Sequence, residues 1–131
     1  MSTRSRIALL QEDGQVKSIY CHWDGYPLYN GKMLQQHYNS KPLVEELLGM
    51  GDTSSLDANI EKSTFYARDR NEENVDAVVE PLEDFKQNIV DDIFEEYTYL
   101  FRDGEWVCFI GNSIEEILLE EAIKQDSGVE A

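Results

Sequence analysis

The chain has 131 residues, 41% hydrophobic and 11% aromatic, with a formal net charge of −16. That length suits one domain with its own core, and so many aromatic side chains exclude a disordered chain. The charge disfavours direct binding to nucleic acid, whose phosphates would meet an anionic surface; no apolar run approaches the roughly 20 residues that cross a bilayer.

Residues 4–11 and 15–23 are apolar runs around Asp13-Gly14, a hairpin signal because both turn positions of a two-residue loop take φ > 0. In that register Ile7 faces Tyr20 and Ala8 faces Ile19. Asp24-Gly25-Tyr26-Pro27 closes the second strand with turn residues. A short helix is expected from Asn30 or Gly31 to Tyr38, with Met33, Leu34 and Tyr38 on its apolar side. A second, over 42–48, has Pro42 in its first turn and stops at Gly49-Met50-Gly51. Residues 52–59 read as loop, 63–68 as a strand and 75–79 as another short strand. Pro81 opens a helix to about Phe94, with Leu82, Phe85, Ile89 and Ile93 at helical spacing.

Residues 97–101 and 105–110 flank a second Asp-Gly turn, Asp103-Gly104. Here Phe101 faces Trp106, Tyr99 faces Cys108 and Leu100 faces Val107. Both faces are apolar, which places this hairpin centrally in a sheet and suits a core or a homodimer interface alike. Ser113-Ile114-Glu115-Glu116 has the pattern of a capping box for a last helix ending near Gln125, followed by a loose tail over 126–131. The order ββαα-β(β)α-ββα describes a single α+β domain over 1–125: a mostly antiparallel sheet built from the two hairpins and one or two further strands, with helices packed on it.

The charge is unevenly placed. Residues 1–50 carry five basic and five acidic side chains, whereas 51–131 carry six and 22, so the entire net charge lies in the second part. Such a division points to solubility, repulsion of nucleic acid, or attraction to a basic partner. On the helix opened by Pro81, Asp84, Asp91 and Glu95 fall in one band opposite the apolar stripe. Glu116 and Glu120 line the polar side of the last helix. Carboxylates four residues apart on a helix stand about 6 Å apart along its axis, comparable to neighbouring phosphates on a nucleic-acid strand. These five acids are the candidate partner-binding surface for a basic groove that normally holds DNA or RNA. The plain reading of any one such face is a solvated helix surface.

Arg68 and Arg70, with Tyr66 and Trp23, form the alternative site. Arginine forks grip phosphate and aromatic rings stack on bases, although surface ion pairs would use the same arginines. Cys21, His22, His37 and Cys108 supply the residue types of a zinc site. Adjacent Cys21 and His22 on a strand point to opposite faces, however, so no metal or other cofactor is expected. No nucleophile, Walker or metalloprotease motif occurs, which makes a non-enzymatic protein the expectation. The N-terminal Met-Ser-Thr-Arg-Ser-Arg lacks the apolar stretch of a secretory signal, so a host-cell cytoplasmic location with reduced cysteines is expected.

Several stretches together carry a resemblance: the opening Met-Ser-Thr-Arg-Ser-Arg-Ile, Ser18-Ile-Tyr-Cys-His-Trp-Asp-Gly-Tyr-Pro27, Gly31-Lys32 with His37-Tyr38, Gly51-Asp52 with Ser54-Ser55-Leu56, and Phe65-Tyr-Ala-Arg-Asp-Arg70. Over residues 1 to about 110 the chain resembles a family of small bacteriophage and prophage proteins. The resemblance implies a context rather than catalytic residues: an accessory protein that acts on host machinery or defence. Strongly acidic phage proteins of this size often imitate nucleic acid, as some anti-CRISPR and anti-restriction proteins do. The expected function is therefore inhibition of a basic nucleic-acid-handling protein. The alternative is a sponge for a nucleotide second messenger.

Overall fold

A computed structural model describes residues 3–91 and 95–128. Strands β1 (Ser5–Leu10) and β2 (Gln15–Cys21) form the first hairpin, followed by a single π turn (Pro27–Gly31) that runs into α1 (Lys32–His37) and α2 (Lys41–Leu48). Short strands β3 (Thr53–Ser55) and β4 (Thr64–Phe65) precede α3 (Tyr66–Arg70). Strand β5 (Val78–Pro81) leads directly into α4 (Leu82–Asp91). The second hairpin, β6 (Tyr97–Arg102) and β7 (Glu105–Ile110), is followed by β8 (Ile117–Leu118) and α5 (Leu119–Ser127).

All eight described strands share one sheet, ordered β4-β3-β2-β1-β6-β7-β8, with β5 also paired to β2. The two hairpins meet through a parallel β1–β6 pair, and β2–β3 is also parallel; the remaining pairs are antiparallel. Central β1 and β6 are apolar on both faces, as strands covered on both sides must be. On one face Ile7, Leu9, Ile19, Tyr99, Phe101, Trp106 and Cys108 pack against Leu34 of α1, Val44, Leu47 and Leu48 of α2, and Leu119, Ala122 and Ile123 of α5. On the other, Ala8, Val16, Leu100, Val107 and Phe109 pack against Phe85 and Ile89 of α4. The fold is α+β in three layers.

The second hairpin has the expected register, Phe101–Trp106, Tyr99–Cys108 and Leu100–Val107. Asp103 and Gly104 both take φ > 0, as a two-residue turn of primed type requires. The first hairpin is shifted by one residue from expectation: Ile7 faces Ile19, and Ala8 faces Ser18. Its loop holds three residues. Gln11 and Gln15 are bonded across it (2.9 Å), and only Gly14 is left-handed (φ 86°), the geometry of a bulged loop.

Other departures follow from non-local pairing. The stretch 52–59, read as loop, contains β3, and the expected one or two further strands are four among the described residues. The 63–68 strand ends at Phe65, because the Asp69 carboxylate accepts the Phe65 N–H (2.8 Å) and starts α3. The 75–79 strand lies at Val78–Pro81, so Pro81 ends a strand and directly precedes the expected helix, which opens at Leu82. The helix that follows is described to Asp91; its expected continuation through Ile93 and Phe94 lies outside the described residues. Ser113 does not cap a helix. Its hydroxyl accepts the Glu115 N–H (3.2 Å), β8 intervenes, and α5 begins at Leu119. Asp126, placed in a loose tail, lies inside α5 and accepts the Leu28 N–H (2.9 Å), while 129–131 fall outside the described residues.

Candidate interaction surface

Strand β2 has its outer edge filled by three different partners. In an antiparallel ladder the backbone groups of alternate residues point to alternate sides. Gln15 bonds across the hairpin to Gln11, so Val16 and Ser18 point outward, to Glu80 and Val78 of β5. The next outward amide, that of Tyr20, donates to the Asp52 carboxylate (2.9 Å), and the one after, that of His22, donates to the Thr53 carbonyl (3.0 Å). Asp52 thus plugs the gap between β5 and β3. Burial raises its carboxyl above the usual range, and the Tyr20 N–H and the Arg6 charge partly offset this.

The chain from Asn71 to Asp91 carries seven carboxylates and one base, Lys86. Glu72, Glu73, Asp76, Glu83 and Asp84 are exposed, and none forms an ion pair among the described residues. Glu83 and Asp84 occupy the first turn of α4, where negative charge complements the helix dipole. Glu80 accepts the Asn88 side-chain amide (2.6 Å) and Asp91 accepts that of Gln87 (3.1 Å), which fixes both carboxylates without neutralising them. Val78 and Val79, in the middle of this stretch, are each 49% exposed.

Of the five predicted acids, Asp84 and Asp91 stand together on α4. Glu95 turns inward and binds the Arg6 Nε (3.0 Å), its side chain only 10% exposed. The Arg6 Nη1 donates to Ser18 Oγ (3.0 Å) in a cavity of about 320 Å³ between β5, α4 and β6. A guanidinium on this sheet face needs a counter-charge, and Glu95 supplies it. Glu116 binds the Nε (3.1 Å) and Nη2 (2.5 Å) of Arg102 on β6. Glu120 lies 3.8 Å from Lys124. Because α4 and α5 pack on opposite faces of the sheet, their acidic sides form two separate surfaces. The acids at 72, 73, 76 and 83, not singled out by helical spacing, are exposed on the same stretch of chain as Asp84 and Asp91. The signal for them is simple charge density along 72–84.

The alternative site divides differently. Arg68 holds the chain before α3: it donates to the Ile60 carbonyl (2.9 Å), the Ser63 carbonyl (2.7 Å) and both oxygens of Asp69 (2.9 Å each). The Asp69 carboxyl is held below its usual range by Arg68 and by the Phe65 N–H. Arg70 lies over the Tyr66 ring (5.2 Å) and reaches Ser54 Oγ (3.4 Å). Trp23, 44% exposed, donates its backbone N–H to the Ser54 carbonyl (3.0 Å). Trp23, Tyr66 and Arg70 therefore gather at Ser54, while Arg68 is spent on backbone carbonyls.

Cys21 is buried in the core with its thiol near the Asn30 amide (3.3 Å), while the His22 ring is hydrogen-bonded to the Tyr20 hydroxyl (2.6 Å) on the opposite face. Among the described residues no group of three or more His, Cys, Asp or Glu side chains could hold a metal ion. No helix there is long and apolar enough to cross a membrane. No family model, curated protein or solved structure matches the chain.

Proposed function

We propose that this chain is a non-enzymatic, phage-type accessory protein of the host cytoplasm that binds a basic, nucleic-acid-handling protein and blocks its groove. The observation that carries this reading is the run of five exposed carboxylates between Glu72 and Asp84 that have no ion-pair partner among the described residues. A folded protein gains nothing in stability from such repulsion, so the side formed by the 71–77 loop, β5 and α4 suits a cationic partner. Asp91 extends that surface. Glu95, Glu116 and Glu120 contribute only to the general field, each having a cation close by.

Long-range attraction makes such binding fast and salt-sensitive. With the partner purified from the host, replacing Glu72, Glu73, Asp76 and Asp84 together by lysine should weaken affinity on the order of 100-fold at low salt. Replacing Glu116 and Glu120 by lysine should change it by no more than about threefold. Titration calorimetry at two ionic strengths reads both. Equal effects of the two sets, or an affinity flat in salt, would overturn the proposal.

The second reading, sequestration of a nucleotide second messenger, is supported by the meeting of Trp23, Tyr66 and Arg70 at Ser54. There Arg70→Ala should abolish nucleotide binding with the fold intact, whereas Arg68→Ala should act through the loop it holds.

A further inference from the structure

We infer that the outer edge of β5 receives an extended, basic segment of the partner as an added strand. This rests on the reading of the acidic side as the binding surface and names how the partner would sit on it. The alternation that turns Val78 and Glu80 toward β2 turns the N–H and C=O of Val79 away from it. Neither backbone group of Val79 meets a partner among the described residues. Val78 and Val79 lie on opposite faces of the strand, and both are 49% exposed, so neither a helix nor a loop covers this edge.

Natural edge strands are guarded by lysines, prolines, bulges or a covering element. At this edge the guards are the strand's length of four residues and Pro81, which acts at one end only. The charges flanking β5 along the chain, Glu72, Glu73 and Asp76 before it and Glu83 and Asp84 after it, are all negative, as is Glu80 within it. They repel a second copy of a chain with net charge −16 and attract a cationic one. Strand addition supplies affinity through main-chain hydrogen bonds and specificity through alternating side chains. The fitting occupant is therefore a segment in which Lys or Arg alternates with β-branched residues. Its apolar side chains would lie against Val78 or Val79 and its cations against the carboxylates.

The probe is an acetylated, amidated Lys-Val-Lys-Val-Lys-Val-Lys peptide, compared with the same peptide N-methylated at alternate residues. The two have equal charge, but the second cannot complete a ladder. Titrated into the whole isotopically labelled chain, the unmodified peptide should bind about tenfold or more tightly than the methylated one and slow exchange of the Val79 amide at least tenfold. Val79→Pro should bring the two affinities together. Equal binding of both peptides to the unaltered chain, still weakened by salt, would overturn strand addition and leave the acidic surface standing. Absence of binding by either would overturn both. Protection of Val79 that rises with protein concentration, without peptide, would assign the edge to a second copy and overturn the inference.

Discussion

Gly51→Ala is expected to lower the melting temperature by about 10–20 °C, whereas Gly104→Ala should lower it by only a few degrees. Both glycines have φ of +80°, so the left-handed penalty, about 1–2 kcal/mol, is common to the two. They differ in what a β-carbon would meet. At Gly104, the tip of the second hairpin, nothing lies within 4 Å. At Gly51 the carbonyl oxygen of Val75 would stand 2.5 Å away, and that atom is backbone. Relief requires moving the chain before β5, which the Asp52 N–H holds through its bond to the same carbonyl (2.7 Å). A clash of this sort raises the total to about 3–5 kcal/mol. Thermal unfolding of the two variants measures the difference; equal losses would mean that the 51–52 turn and the 75–76 chain are not in this contact.

Between pH 8 and pH 10.5 the fold is expected to lose about 4 kcal/mol of stability through its two thiols. Burial pushes the Cys21 thiol up to about 11 and the Cys108 thiol up to about 12, from an ordinary value of 9.0. Below pH 9 each thiol is protonated in the folded and unfolded chain alike, so this stability is fully present. Above pH 9 the unfolded chain releases protons that the folded chain retains, and stability falls until the folded thiols ionise near 11 and 12. Tyr99, buried with its hydroxyl on the Gly25 carbonyl (2.5 Å) and pushed well up by burial, steepens the loss above pH 10. Urea midpoints across this range read the slope, and Cys108→Ala should flatten it. A thiol reagent at pH 8 should find both cysteines silent until the chain unfolds. Reaction of either in the folded protein at the rate of a free thiol would contradict the core placement.

How much of this was legible in the sequence depends on how local each feature is. The Asp103-Gly104 hairpin was readable to the residue because the turn and both apolar strands are contiguous. The Asp13-Gly14 hairpin was readable as a hairpin but not in register. The same dipeptide serves a two-residue turn and, with Glu12, a three-residue bulged loop, and only the bond between Gln11 and Gln15 decides. The apolar sides of α1 and α4 were visible as spacing. Strands β3 and β8, of three and two residues, are too short to carry a period, and they exist because β2 and β7 offer them an edge. For the candidate surface, Asp84 and Asp91 both lie on α4, the helix on which spacing placed them. Helical projection misplaced Glu95 and Glu116: Glu95 is set by Arg6, 89 residues away, and Glu116, which precedes β8 rather than lying on a helix, by Arg102 across the β6–β7 hairpin. Arg68 looked available for an anion because its carbonyl partners at Ile60 and Ser63 come from a loop whose shape the sequence does not announce.

The parallel β1–β6 seam also orders the assembly of the fold in time. Each hairpin pairs residues that are close along the chain and can zip within microseconds. The seam pairs Ser5 with Tyr97 and ties the Arg4 N–H to Glu96 across 92 residues. Closing so long a circuit costs chain entropy before any contact is gained, and this slows folding. The two hairpins are therefore expected to form first and to dock in the slow step. Shortening Leu100, which lies in the seam, should slow refolding. An equally destabilising change in α5 should instead speed unfolding, a contrast that the two arms of a stopped-flow chevron separate.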